Sequence, residues 1–203
     1  MRFAFVMWLT WLLCMCAYAQ DAPKAEVFGG YSYAAADFTG SGRESLNGWD
    51  GSLTGNFNRW LGVTADITGL YGSQNVTSPL GASCPPICSP FHLSTHAYTF
   101  LFGPHVALRG ERFTPFAHAL LGAAHTSESV SLGGVSFPVL PPPLPSISVG
   151  LSDTSFAVAL GGGVDVGLSR RFAWRIGGDY LQTRLFSATQ NNFRMTTGIV
   201  LRF

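Results

Sequence analysis

Hydrophobic and polar residues alternate along this chain with a period of two, and the pattern is clearest in its last dozen residues. Phe193, Met195, Ile199, Leu201 and Phe203 fall on one parity, and Asn192, Arg194, Thr196 and Arg202 on the other. That period puts the two sets on opposite faces of a strand. The same alternation recurs in seven earlier segments. Strands are predicted over about 26–34, 47–58, 61–71, 94–108, 113–125, 155–168, 172–184 and from 190 to the end. In the second, Trp49, Leu53 and Phe57 oppose Asp50, Ser52, Thr54 and Asn56. The fifth is the least clear, because both of its faces read as apolar.

Connection lengths alternate as regularly as the side chains. Tight turns near Arg59, Gly110 and Arg170 follow the second, fourth and sixth strands. Longer links, about 35–46, 72–93, 126–153 and 185–189, follow the others; Pro141-Pro142-Pro143 in the third of them cannot lie inside a ladder. Eight strands with an apolar outer face, short turns at one end and long loops at the other describe a transmembrane barrel. The all-β expectation is therefore an eight-stranded antiparallel transmembrane β-barrel. A soluble ligand-binding barrel would reverse the pattern and turn its apolar side chains inward.

The amino terminus points to export. Met1-Arg2 is followed by an apolar run from Phe3 to Ala17 and by Ala17-Tyr18-Ala19, small residues spaced for signal peptidase. Residues 1–19 read as a cleaved signal peptide and 20–203 as the barrel. The run is short for a spanning helix. Composition agrees: 24 glycines, 13% aromatic and 11% charged residues suit close strand contacts, interfacial girdles and an apolar exterior. Lys+Arg 12 against Asp+Glu 11 leaves no basic stripe for nucleic acid. Cys84 and Cys88 bracket Pro85-Pro86-Ile87, and in an exported loop they are expected to form a disulfide. His92 alone does not turn them into a zinc site, and neither metal nor cofactor is expected.

The inward parity collects a charged set. Asp165 and Arg175 fall opposite each other if the third tight turn centres on Arg170, and Glu26, Asp50, Asp66, Asp179 and Arg194 share their side. Buried charges must be paired, so these residues are expected to form a packed polar core; a narrow gated solute path along them is the alternative. His105 and His118 also face inward, and pairing Arg109 with Arg112 sets them diagonally across adjacent strands. Two imidazoles without further ligands are not a metal site.

These motifs resemble the outer-membrane β-barrel domain family typified by the OmpA transmembrane domain and OmpX. The resemblance is carried by Glu26-Val27-Phe28-Gly29-Gly30-Tyr31-Ser32-Tyr33, Phe102-Gly103-Pro104 with Thr114-Pro115-Phe116-Ala117-His118, Gly161-Gly162-Gly163-Val164-Asp165 and the final Phe203. It implies a bacterial outer-membrane location with both termini periplasmic. Outer-membrane lipid and lipopolysaccharide would surround the barrel, and an extracellular ligand could contact the loops around Cys84–Cys88 and Val139–Ser148. Phe203 resembles the family's assembly signal, read by the barrel-assembly machinery. No enzyme is implied. One segment, His125-Thr126-Ser127-Glu128, resembles the His-x-Ser of outer-membrane lipid A deacylases; carried over, His125 would be the base, Ser127 the nucleophile and Glu128 an orienting acid.

Overall fold

A computed structural model of the chain describes residues 23–36, 44–76, 91–132, 147–185 and 188–203. They form a closed antiparallel barrel in which each strand pairs with its sequence neighbours and the last pairs with the first. The strands are β1 (Ala25–Ala36), β2 (Glu44–Asn56), β3 (Leu61–Val76), β4 (Phe91–Ala107), β5 (Phe113–Leu132), β6 (Ile147–Gly167), β7 (Phe172–Leu185) and β8 (Ala188–Arg202). Residues 1–19, Cys84, Cys88 and most of the proline-rich Val139–Ser148 segment lie outside the described residues.

Short polar side chains fix two of the three tight turns. The Asn58 side-chain oxygen accepts from the amides of Trp60 (2.8 Å) and Leu61 (2.7 Å). The Ser169 hydroxyl accepts from the amides of Arg171 (3.3 Å) and Phe172 (3.1 Å). Such local bonds mimic the backbone turn and set the register of the hairpin they close. The third turn is held by the Gly110 amide on the Phe113 carbonyl, 3.2 Å away. Closure depends on a glycine pair: Gly30 and Gly198 face each other across β1 and β8. A Cβ on Gly198 would lie 2.3 Å from the Gly29 carbonyl oxygen and 2.4 Å from the Gly30 Cα.

The outer surface is an apolar belt. Leu53, Phe100, Phe102, Leu121, Phe156, Leu160, Met195 and Ile199 are exposed on it. Aromatic residues rim it at both ends, Phe57, Trp60, Phe113, Phe172, Trp174 and Phe203 toward the tight turns and Tyr31, Trp49, Tyr71 and Tyr180 toward the long loops. In the loop-side rim the polar tips bond to one another. The Trp49 indole donates to the Tyr71 hydroxyl (3.4 Å), which lies 3.2 Å from the Tyr98 hydroxyl, and Tyr31 bonds Asn47. Amphipathic rings of this kind keep an apolar body and a satisfied polar end.

The strands run further than the alternation predicts at the long-loop end. β5 continues to Leu132 instead of ending near His125, and β6 begins at Ile147 instead of 155. β2, β3 and β4 also extend past the expected limits, to Glu44, Val76 and Phe91. The physical cause is a phase change. In β5, Leu120, Ala124 and Thr126 are buried inside and the polar Ser127 and Ser129 take the outward parity, while in β6 the apolar Val149 and Leu151 share the parity of buried Ala157 and Ala159, the reverse of the belt. Backbone pairing continues through Phe91↔Leu132 and Leu132↔Ile147 where lipid-type patterning has stopped.

The interior is polar and layered. Charged residues fill the half nearer the tight turns. The half nearer the loops carries no charged layer: Leu101, Leu120, Ala124, Ala157, Ala159 and Leu181 form one apolar cluster and Ala34, Leu46, Leu70 and Ala97 another, with Thr99, Thr126, Thr183 and Asn192 buried beside them.

Candidate functional site

Three arginines and two carboxylates form the layer next to the tight turns. β6 and β7 set Asp165 opposite Arg175, and Arg175 binds it with Nε on Oδ1 at 2.7 Å and Nη2 on Oδ2 at 2.9 Å. The same guanidinium reaches the Glu26 Oε2 at 3.4 Å. Its apolar faces are covered by Phe116 and Phe28, whose ring centres lie 4.4 Å and 5.4 Å from the Arg175 Cζ. Arg109 Nη1 takes the Glu26 Oε1 at 2.6 Å, and Arg202 Nη2 takes the Asp165 Oδ2 at 3.2 Å. A bidentate guanidinium fits a carboxylate in both charge and shape, and stacking on aromatic faces adds a cation–π attraction.

Above it, Arg194 gathers three aspartates. Its Nε and Nη2 lie 2.9 Å and 2.6 Å from the Asp179 Oδ2. Its Nη1 donates to the Asp66 Oδ1 at 2.9 Å, lies 3.6 Å from the Asp50 Oδ2 and also bonds Thr68. His118 Nε2 sits 2.8 Å from the Asp179 Oδ1. All four charged side chains are buried, so none can turn to water for compensation and each relies on the others. The cavity left between the two layers is about 20 Å³, lined in part by Asp50, Asp66, His118, Arg175 and Arg194. A second cavity of about 20 Å³ lies in the apolar half.

These contacts join Glu26, Asp165 and Arg175 in one group and Asp50, Asp66, His118, Asp179 and Arg194 in another. Parity did not single out Arg109, Arg202, Phe28 and Phe116 for this site. Arg202 and Phe28 carry the inward signal in the sequence; Arg109 lies in a turn, where strand parity carries no information.

The histidine pair differs from the expected arrangement. His105 and His118 are directly paired, not diagonal. Leu108 bonds Pro115 and Gly110 bonds Phe113, which shifts the register from the Arg109–Arg112 pairing assumed. His105 stacks on Phe116 at 5.3 Å and lies 6.3 Å from His118. Among the described residues, no group of three His, Cys, Asp or Glu side chains is placed to hold a metal ion.

His125 and Ser127 lie within β5 on its outward face, at the loop-side edge of the belt. Ser127 Oγ is 3.3 Å from the His125 Nε2, and His125 Nδ1 is 2.7 Å from the Thr154 Oγ1. Glu128 cannot orient this histidine. It follows Thr126 on the inward parity, so the strand carries it to the opposite face. Thr154, directly across on β6, occupies the position an acid would need.

Eight residue steps separate the two aromatic rims, from Trp49 in β2 to Phe57 just after its end. At about 3.4 Å per residue and a tilt near 40° they give a belt roughly 20 Å tall, close to the apolar height of outer-membrane barrels. Residues 5–203 match the family model described as the outer membrane protein beta-barrel domain. The chain belongs to this family. It is an integral protein of the bacterial outer membrane.

Several solved outer-membrane proteins share the fold of this barrel domain. Ail, the attachment invasion locus protein of Yersinia pestis, superposes with a TM-score of 0.59 at 17% identity, covering 89% of this chain and 99% of Ail. Neisserial surface protein A gives 0.55 at 15% identity, covering 91% and 100%. OprG of Pseudomonas aeruginosa gives 0.51 at 13% identity, covering 92% and 98%. No curated protein matches the sequence. At these identities the likeness is one of fold, and function has to be argued from this chain's own residues.

Proposed function

We propose that the protein is a non-enzymatic outer-membrane barrel, closed to solutes, that displays its long loops at the cell surface. The carrying observation is the filled lumen. Two charged groups and a layer of apolar and small polar side chains are stacked across it, and two cavities among them are about 20 Å³ each. That is room for about one water molecule. An eight-stranded barrel is just wide enough for its own side chains. The test is conductance in planar bilayers, with no ion flux expected.

The tight turns and both termini are taken as periplasmic and the long loops as extracellular, because short periplasmic turns and longer outer loops are the rule for this architecture. Residues 1–19 act as the signal peptide, Cys84 and Cys88 close a loop by a disulfide, and Phe203 serves as the signal to the barrel-assembly machinery. Outer-membrane lipid and lipopolysaccharide cover the belt. Ail has been crystallised in complex with the heparin analogue sucrose octasulfate. A surface ligand at this chain's loops is proposed by that analogy and by the general placement of binding on loops. Titration with sucrose octasulfate tests it directly.

One observation favours a second reading. The Ser127–His125–Thr154 chain of hydrogen bonds faces outward where outer-leaflet lipid would lie, which is the minimum arrangement for an activated serine. Hydrolysis of a lipid A acyl ester would follow, with Ser127 attacking and His125 accepting its proton. The absence of a carboxylate on His125 Nδ1 among the described residues makes this the weaker reading.

A further inference from the structure

The tight-turn end of the barrel carries a cluster of positive charge that the lumen network does not use up. Lys24, Arg109, Arg170, Arg171 and Arg202 line a mouth of about 820 Å³ together with Thr114 and Phe203, and among the described residues no Asp or Glu side chain lines it. Arg59 and Arg112 are exposed on the neighbouring turns, with Glu111 the acidic side chain among them. Of the chain's 12 Lys and Arg residues, these seven sit at one end.

Two of these cations are incompletely used. Arg109 gives Nη1 to Glu26 and Nε to the Arg59 carbonyl, while its buried Nη2 has no partner among the described residues. Arg202 gives Nη2 to Asp165, and its buried Nε is likewise unpartnered. Arg170 and Arg171 are exposed beside them and make no ion pair that would neutralise them within the described residues. Buried donors without acceptors are costly and call for a ligand or water. A concave site in which the five cations outnumber the Phe203 carboxylate also concentrates field into its opening.

We infer that this mouth is a binding site for a phosphate-bearing anion. Guanidinium groups from three separate parts of the chain, the β4–β5 turn, the β6–β7 turn and the end of β8, converge on it. Such forks match phosphate oxygens in charge and geometry. Lys24 adds a point charge and Thr114 a hydroxyl. Phe203 lines the mouth while lying on the outward parity of β8, so the site opens both to solution and to the lipid-facing rim. The anion is either the headgroup of an acidic phospholipid or a soluble oligophosphate, and neither source depends on which side of the membrane the turns occupy.

The full mature chain is reconstituted in phosphatidylcholine nanodiscs and titrated with tripolyphosphate. In parallel, nanodiscs containing a minor fraction of cardiolipin are analysed by native mass spectrometry for retained lipid. The Arg170→Gln/Arg171→Gln variant, changed only in an exposed turn, is compared with Arg184→Gln at the opposite end, and heat-modified gel mobility confirms that each is folded. Tripolyphosphate binding weakened at least about tenfold by the turn variant, with no retained cardiolipin, identifies a soluble anion. Retained cardiolipin lost in the turn variant and kept in Arg184→Gln identifies a lipid headgroup. Binding of neither probe, or binding that the turn variant leaves unchanged, overturns the inference.

Discussion

Arg194 sets two of its nitrogens against one oxygen of Asp179, Nε at 2.9 Å and Nη2 at 2.6 Å, with both side chains almost wholly shielded from water. β7 and β8 place these residues directly opposite each other. The pair is one register step of the β7–β8 ladder, and β8 is also the strand that closes the barrel against β1. Its third nitrogen ties β8 across the lumen to Asp66 on β3.

Removing the cation strands its partners. Arg194→Met keeps comparable length but leaves Asp50, Asp66 and Asp179 without their common counter-charge. Breaking a buried pair from one side costs about 3–5 kcal/mol. Urea unfolding of the protein refolded into vesicles should show that loss. A variant as stable as the parent would mean that water reaches these carboxylates and the lumen is not dry.

Closure at β1 and β8 should fail when glycine is replaced. Gly198→Val puts its first side-chain atom against the Gly29 carbonyl and the Gly30 Cα, both under 2.5 Å away. Backbone cannot give as a flexible side chain does. Overpacking of this kind costs about 1–3 kcal/mol or more. The folded, faster-migrating gel band should be reduced, whereas Gly55→Ala, with nothing within 4 Å of an added Cβ, should leave it intact.

Lipid A composition distinguishes the display reading from the hydrolase reading. Cells bearing the intact protein and its Ser127→Ala form should yield the same lipid A mass spectrum. Loss of one acyl chain only when Ser127 is present would make the outward His125–Ser127 pair a working nucleophile.

How far the sequence exposes this structure depends on what enforces alternation. Where lipid covers one face, as from Trp49 to Phe57, every second residue must be apolar, and strand, facing and pairing can all be read. The Asp165–Arg175 pair was legible for that reason, because the tight turn at Arg170 sets the register. Beyond the aromatic rim that pressure ends. There Ser127 and Ser129 are polar on the outward parity and the stretch reads as loop, although its backbone ladder continues from Ser127↔Ser152 to Leu132↔Ile147. Arg109 was missed because its position in a turn hides its direction. The apolar clusters around Leu46, Leu70, Leu101, Leu120 and Leu181 share the inward parity with the polar residues, and parity alone does not separate the two layers.

The central claim is a barrel whose lumen is filled. Planar-bilayer recording of the full mature chain, alongside Arg175→Ala, tests it most directly. The expected result is no conductance steps from the intact protein, since its charged and apolar layers leave no continuous aqueous path. Steady unit conductance from the intact protein, altered in size or ion preference by Arg175→Ala, would contradict the account and make the charged layer the lining of a channel.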